Sequence, residues 1–354
     1  MMGKFPTGVG RARHPPKAMA PATPPLTPAA KNARVALLQL CCTNDLSRNF
    51  LAASHLVREA AKLGATLAFL PENCAFMGSY PGESNGIAAP IPGNVSQPFC
   101  DLARDANVWL SLGGVQEDSG VPKGDETSHN KVLNAHVVID PSGNVREVYR
   151  KVHLFDVDLS ATGGPKLLES SFTEPGQPTQ CVVVEDTPVG RLGLGICYDM
   201  RFPYLFQRLR FDGNADVLTA PSAYTVPTGK AHWHALLRAR AIENQCYMVA
   251  AAQVGRHWPG KRLSYGHSIA VDAWGRIVAD LGGGSAKEPI VPSDATLIPL
   301  PDELRTPPTP DAEACTDQDA VDGSFVGAAV FDLDLGTIAP TRAKMPIASH
   351  RRPL

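Results

Sequence analysis

One stretch, Gly193-Leu-Gly-Leu-Gly-Ile-Cys197-Tyr-Asp199-Met-Arg201-Phe-Pro203, limits the fold more than any other. Its small residues let an apolar strand end in a tight turn. Pro203 at the first helical position loses no hydrogen bond. The chain therefore runs from strand to helix here, with a thiol on the turn. The amides at a helix N-terminus stabilise negative charge beside them, which suits a nucleophilic cysteine. Taken alone, Cys197 reads as a small buried hydrophobe. Two partners upstream change that reading.

The first is Glu72. Thr66-Leu-Ala-Phe-Leu is a short apolar run stopped by Pro71, so Glu72 falls at the C-terminal end of a strand. The second is Lys151, in Val145-Arg-Glu-Val-Tyr-Arg150-Lys151-Val-His153-Leu-Phe155, a strand that ends in two cations. Each alone reads as a solvated strand-end charge. With Cys197 they form a chemical set. A carboxylate can take the thiol proton, an ammonium can stabilise an oxyanion, and a thiolate can attack a carbonyl or nitrile carbon.

The remaining pattern mixes helices and strands. Arg34–Leu40, Thr66–Leu70 and Val108–Gly113 read as strands, with helices over Leu46–Leu63 and Gln97–Ala106 between them. Lys131–Asp140 and Val145–Tyr149 flank the turn Pro141-Ser-Gly143-Asn144, and Cys181–Glu185 pairs with Arg191–Ile196. Tyr204–Phe211 and Lys230–Asn244 read as helices. Ala215–Ala220, Tyr247–Val254, Ser268–Asp272, Arg276–Asp280 and Ala328–Asp334 read as strands. This mixture predicts two packed sheets with helices on their outer faces.

The motifs around Pro71-Glu72-Asn73, Arg150-Lys151-Val-His153-Leu-Phe155 and Gly195–Pro203 resemble those of the nitrilase superfamily of Glu-Lys-Cys carbon–nitrogen hydrolases, in the family's order. More narrowly, the chain resembles the nitrilase-like amidases that hydrolyse deaminated glutathione. Pro221-Ser-Ala-Tyr224, Gly229-Lys-Ala-His232-Trp233, Leu237–Tyr247 and Ser264–Gly275 add to that likeness. The resemblance spans about residues 33 to 281 and resumes near 325 to 352. It implies an α/β fold of mixed sheets in a four-layer α-β-β-α sandwich, pairing into homodimers or larger assemblies through an outer helical layer.

The same resemblance implies roles. Cys197 is the nucleophile, forming a thioester and releasing ammonia, and Glu72 is the base that later activates water. Lys151 and the backbone N–H of Tyr198 hold the oxyanion, and Glu169 is a supporting carboxylate. Arg201, a bidentate partner for a carboxylate, binds substrate with Tyr224 and Thr228 from the loop before the long helix. The implied activity is cleavage of deaminated glutathione to 2-oxoglutarate and cysteinylglycine, a metabolite repair. The nearest rival is an ω-amidase acting on 2-oxoglutaramate or 2-oxosuccinamate. A nitrilase and a catalytically silent binding protein on the same fold are more distant. The cluster Gly255-Arg256-His257 and Lys261-Arg262 resembles the deaminated-glutathione branch, where added cations would meet the glycine carboxylate of a longer substrate.

Other features carry less. His232-Trp-His234 looks like a metal pair without a third ligand at useful spacing, so it reads as helix packing, and no metal or cofactor is expected. His153 and His267 are given structural roles. Gly193 and Gly195 have the wrong spacing for a dinucleotide loop.

Composition excludes further classes. The net charge of −2 over 354 residues gives no nucleic-acid footprint, and no apolar run approaches a membrane span. Eight cysteines without a C-x-x-C pattern or a secretory signal favour free thiols in a reducing, cytoplasmic setting. Residues 1–31 are basic, acid-free and proline-rich, which fits a disordered tail. A mitochondrial targeting segment shares that charge pattern, but the prolines oppose its amphipathic helix. Residues 32–354 read as one domain interrupted at about 283–324 by a proline-rich acidic stretch, expected to be a mobile surface insertion.

Overall fold

The computed structural model describes residues 32–120, 131–158, 166–257, 262–283, 288–305 and 324–352. The expected tail at 1–31 lies outside them.

The first half alternates strand and helix: β1 (Asn32–Leu40), α1 (Leu46–Lys62), β2 (Leu67–Leu70), α2 (Gln97–Ala106) and β3 (Trp109–Asp118). Hairpins and short strands follow: β4 (Val132–Ile139), β5 (Val145–Arg150), β6 (Asp156–Asp158), β7 (Lys166–Leu168), β8 (Val183–Thr187) and β9 (Gly190–Leu194). Then come α3 (Pro203–Phe211), β10 (Val217–Thr219), α4 (Val226–Asn244), β11 (Tyr247–Ala250), β12 (Ala252–Arg256), β13 (Leu263–Tyr265), β14 (Ile269–Val271), β15 (Ile277–Asp280), β16 (Thr296–Pro299) and β17 (Gly327–Asp334).

A nine-stranded sheet runs β13-β12-β1-β2-β3-β4-β5, with β17 beside β1 and β16 beside β17. A six-stranded sheet runs β15-β14-β11-β10-β9-β8. The parallel pairs β1–β2 and β2–β3 are connected through α1 and α2, whereas β3, β4 and β5 are antiparallel.

β1 explains the layering. Val35 and Leu37 join the core formed with the second sheet, while Ala36, Leu38 and Leu40 join the core formed with α1 and α2. Alternate residues of a strand point to opposite faces, so a strand apolar on both faces must be covered twice. On the far side, Trp233 and Leu237 of α4 and Leu205 and Phe206 of α3 cover the second sheet. This is the expected α-β-β-α sandwich. α1 starts where the Asp45 carboxylate caps the Arg48 N–H at 3.0 Å and stops before Gly64, whose φ of +85° is left-handed.

Three expectations need correction. Tyr247–Val254 is not one strand but two, β11 in the second sheet and β12 in the first. The break falls at Ala251, where the Ser268 hydroxyl accepts the Ala252 N–H at 2.8 Å in place of a ladder partner. The stretch 283–324 is not simply a surface insertion: β16 pairs with β17 along Thr296–Pro299, and Ile298 and Leu300 are buried. Residues 306–323 lie outside the described residues. The long helix begins at Val226 rather than near Lys230, which puts Thr228 in its first turn.

Among the described residues, no helix is long and apolar enough to cross a membrane. The seven described cysteines are all free thiols.

Candidate active site

Strand ends bring the three predicted groups together. Glu72 follows β2, Lys151 follows β5, and Cys197 follows β9 at the start of a short 3-10 helix, Cys197–Arg201. Cys197 has φ of +45°, unusual for a residue with a side chain, and its N–H is fixed by the Pro221 carbonyl at 3.0 Å. The thiol is thus held on a strained turn.

All three side chains are buried. Lys151 Nζ lies 3.0 Å from Glu72 Oε1 and 3.0 Å from each oxygen of Glu169. Glu169 follows the small β6–β7 hairpin, and its Oε2 accepts the Phe155 N–H at 2.7 Å. Glu72 is bonded on both oxygens: Oε1 also accepts Asn134 Nδ2 at 3.0 Å and Oε2 accepts the Ala223 N–H at 3.0 Å, and the Cys197 thiol lies within its electrostatic reach.

The electrostatics define the resting state. Burial pushes the Cys197 thiol well above its ordinary range, Glu72 adds to this, and Lys151 works against it. Burial also opposes charge on Glu72, but Lys151, the Cys197 thiol and Arg262 outweigh it and hold the carboxyl below the ordinary glutamate value. Burial opposes the Lys151 charge too, and Glu169 and Glu72 overcome it, raising the ammonium well above its ordinary value. The site therefore rests as thiol, carboxylate and ammonium.

Asn134 was not singled out from sequence. Its signal was a polar pair, Asn134 and His136, on one face of an apolar strand. Space for it comes from Gly113-Gly114: Gly114 has φ of +140°, and a Cβ there would meet Asn134 Oδ1 at 2.6 Å.

Asp199 was also passed over. It is wholly buried and accepts four hydrogen bonds, from Tyr149 Oη at 2.8 Å, the His153 N–H at 3.0 Å, His153 Nδ1 at 2.6 Å and the Ile196 N–H at 3.0 Å. The His153 ring stacks on Phe202 with centroids 3.7 Å apart.

The predicted substrate residues divide. Arg201 has no carboxylate partner among the described residues. Its guanidinium bonds His232 Nδ1 at 3.1 Å and lies 5.6 Å from the Tyr198 ring and 5.9 Å from the Tyr224 ring. Tyr224 is buried, and its hydroxyl has no partner among the described residues. Thr228 is not brought to the thiol by any bond: its hydroxyl is engaged with Thr225 at 2.9 Å, inside the helix start.

The His232–His234 pair needs revision. His232 is exposed and meets Arg201, while His234 Nε2 bonds Asp280 at 2.9 Å. Asp280 also bonds His267 Nδ1 at 2.8 Å and accepts the Gly282 N–H at 2.9 Å. His234 alone of the pair joins a cluster, with His267 and with Asp280 of β15, whose ligand atoms lie within 4.8 Å of one another. His267 Nε2 donates to the Gly283 carbonyl at 2.9 Å, so every polar atom of this triad that has been named is hydrogen-bonded within the protein.

The sequence pattern of the carbon–nitrogen hydrolase family matches residues 34–291. The chain belongs to the carbon–nitrogen hydrolases. It is 47% identical over 250 residues to the human deaminated glutathione amidase, covering 71% of this chain and 73% of the relative. It is 37% identical over 323 residues to the Dictyostelium discoideum deaminated glutathione amidase, covering 90% and 94%. The crystal structure of the C. elegans NitFhit protein superposes with a TM-score of 0.70 at 37% identity, over 91% of this chain and 65% of that one. The protein is an amidase, a hydrolase of carbon–nitrogen bonds in linear amides.

Proposed function

We propose that this amidase hydrolyses deaminated glutathione to 2-oxoglutarate and cysteinylglycine, in the cytoplasm, through a thioester on Cys197. The observation that carries the mechanism is the buried Glu72 carboxylate, 3.0 Å from Lys151 and within electrostatic reach of the Cys197 thiol. The substrate follows from the likeness to deaminated glutathione amidases and from Arg201, a cation without a carboxylate partner beside the site.

The steps use this chain's own groups. Glu72 takes the thiol proton as sulfur bonds to the amide carbon, and the carbonyl π electrons move onto oxygen. Lys151 and the Tyr198 N–H stabilise that oxyanion. Glu72 passes its proton to the amide nitrogen, the C–N bond breaks, and the thioester remains. Because the thiol rests protonated, thiolate forms only as the substrate is attacked. Water then gives a proton to Glu72 and attacks the thioester, and the departing thiolate recovers that proton. Glu169 keeps Lys151 charged throughout.

For a primary amide the leaving group is ammonia. Deaminated glutathione is a secondary amide, and its leaving group is the amine of cysteinylglycine, so ammonia is not the product to follow. The test is 2-oxoglutarate formation from deaminated glutathione against that from 2-oxoglutaramate, for the wild type and Cys197→Ala. Preference for deaminated glutathione, lost in Cys197→Ala, supports the reading; preference for 2-oxoglutaramate overturns the substrate in favour of an ω-amidase.

We extend the reading to a homodimer. Tyr204, Ile242 and Trp274 are exposed at or beside the helical layer of the second sheet. Sedimentation at micromolar concentration tests this, and a monomer would refute it.

A further inference from the structure

Two buried donors beside the catalytic carboxylate lack an acceptor. The Arg262 Nε and the Tyr224 hydroxyl are shielded from solvent and have no hydrogen-bond partner among the described residues. An unpaired buried donor is costly, and a charged one more so, which makes each a mark of something the pocket is built to receive. Arg262 directly precedes β13, and its Nη2 donates to the Ala223 carbonyl. The N–H of the same Ala223 holds Glu72 Oε2 at 3.0 Å. Arg262 is therefore one residue removed from the general base.

Arg201 reaches the neighbouring position from another element, lying 5.9 Å from the Tyr224 ring. One guanidinium thus meets the Ala223 carbonyl and the other lies beside the Tyr224 ring, and neither has a carboxylate partner among the described residues. A substrate with one carboxylate needs only one of them. Arg262 also contributes to keeping Glu72 ionised, yet that effect acts at a distance and leaves its Nε unused.

We infer that Arg262 Nε forms a second anion-binding subsite, separate from the one at Arg201 and Tyr224, and that the pocket selects linear amides with a carboxylate on each side of the scissile bond. The inference deepens the proposed function and, for its natural substrate, rests on it. Deaminated glutathione has this form, with a 2-oxo acid at one end and a glycine carboxylate at the other.

The test is calorimetric binding to the Cys197→Ala protein, which cannot turn over. The ligands are deaminated glutathione and its glycinamide-capped analogue. The parent should bind the two-carboxylate ligand ~10- to 100-fold more tightly, as expected for a charge-assisted buried bond. Arg262→Gln should abolish that ratio by weakening only the two-carboxylate ligand. Arg262→Lys, which retains the charge, should restore part of it and serves where Arg262→Gln does not fold.

Equal weakening of both ligands would overturn the subsite and leave Arg262 as a support for Ala223 and Glu72. No weakening of either would overturn it as well. If the parent does not bind deaminated glutathione, the substrate reading fails, and the subsite is judged on N-glutarylglycine against N-glutarylmethylamine, amides that lack the 2-oxo group. A ratio on that pair that Arg262→Gln removes upholds the subsite; no ratio overturns it.

Discussion

The Asp199 carboxylate accepts the main-chain N–H of His153 at 3.0 Å, and so ties the Cys197 turn to the segment that carries Lys151. Its other bonds reach Ile196 just before Cys197 and Tyr149 just before Lys151. A single buried anion therefore sets the distance between thiol and ammonium. Asp199→Asn replaces one accepting oxygen with a donor facing other donors. We expect a stability loss of about 3 kcal/mol, typical of a broken buried charge network, and a fall in kcat larger than the change in KM. Denaturant unfolding and steady-state kinetics check this; unchanged kcat in folded protein would contradict it.

Gly114 makes a sharper geometric test. A methyl group there meets Asn134 Oδ1 at 2.6 Å in a left-handed backbone. Gly114→Ala should cost about 1–3 kcal/mol of strain and move Asn134 off Glu72, lowering kcat/KM roughly tenfold or more, as loss of a charge-assisted bond would. Kinetics and melting of this variant test the claim, and wild-type behaviour in both would refute it.

The pH profile follows from the site's charges. The proposed mechanism requires ionised Glu72, whose carboxyl lies below 4.5, and protonated Lys151, raised above 10.5. The Cys197 thiol stays protonated past 9.0. The kcat/KM profile should be flat across neutrality, falling only at the acid and alkaline extremes. A limb near about 6.5, where an ordinary histidine titrates, would contradict the Glu-Lys-Cys assignment.

Acid stability should depend on two interior histidines. His136 sits between Ser111 Oγ at 2.7 Å and the Gly195 carbonyl at 3.1 Å, and His257 between Ser264 Oγ at 2.7 Å and the Cys42 carbonyl at 2.7 Å. In each, Nδ1–H donates to a carbonyl and Nε2 accepts from serine, which fits the neutral ring. Burial lowers both from 6.5 to about 4. Between those values the unfolded chain binds protons that the folded one does not, so stability falls as pH drops through that window. Each contributes roughly 3 kcal/mol at most by linkage. Unfolding free energies at pH 7 and pH 4.5 check this; no loss would refute it, as would an equal loss in a variant in which both histidines are replaced by glutamine.

Much of the site was legible because it is built from strand ends. Pro71 stops β2 at Glu72, the paired cations end β5, and the glycines before Cys197 force a turn, so each group carries a local signature. Asn134 and Asp199 are not legible this way, because their partners are remote in sequence: Asn134 meets Glu72 only through the β3–β4 pairing. The break at Ala251 was hidden for the same reason, since Tyr247–Val254 is apolar throughout and only the switch between sheets divides it. β16 escaped because its prolines and acids look like loop, while its pairing with β17 and the buried faces of Ile298 and Leu300 are tertiary facts.

The central claim is that Cys197 forms the thioester. Acid-quenched protein incubated with deaminated glutathione should give a 2-oxoglutaryl adduct on the peptide that contains Cys197, and folded Cys197→Ala protein should show neither adduct nor turnover. An adduct on another residue, or hydrolysis that persists in Cys197→Ala, would contradict the account.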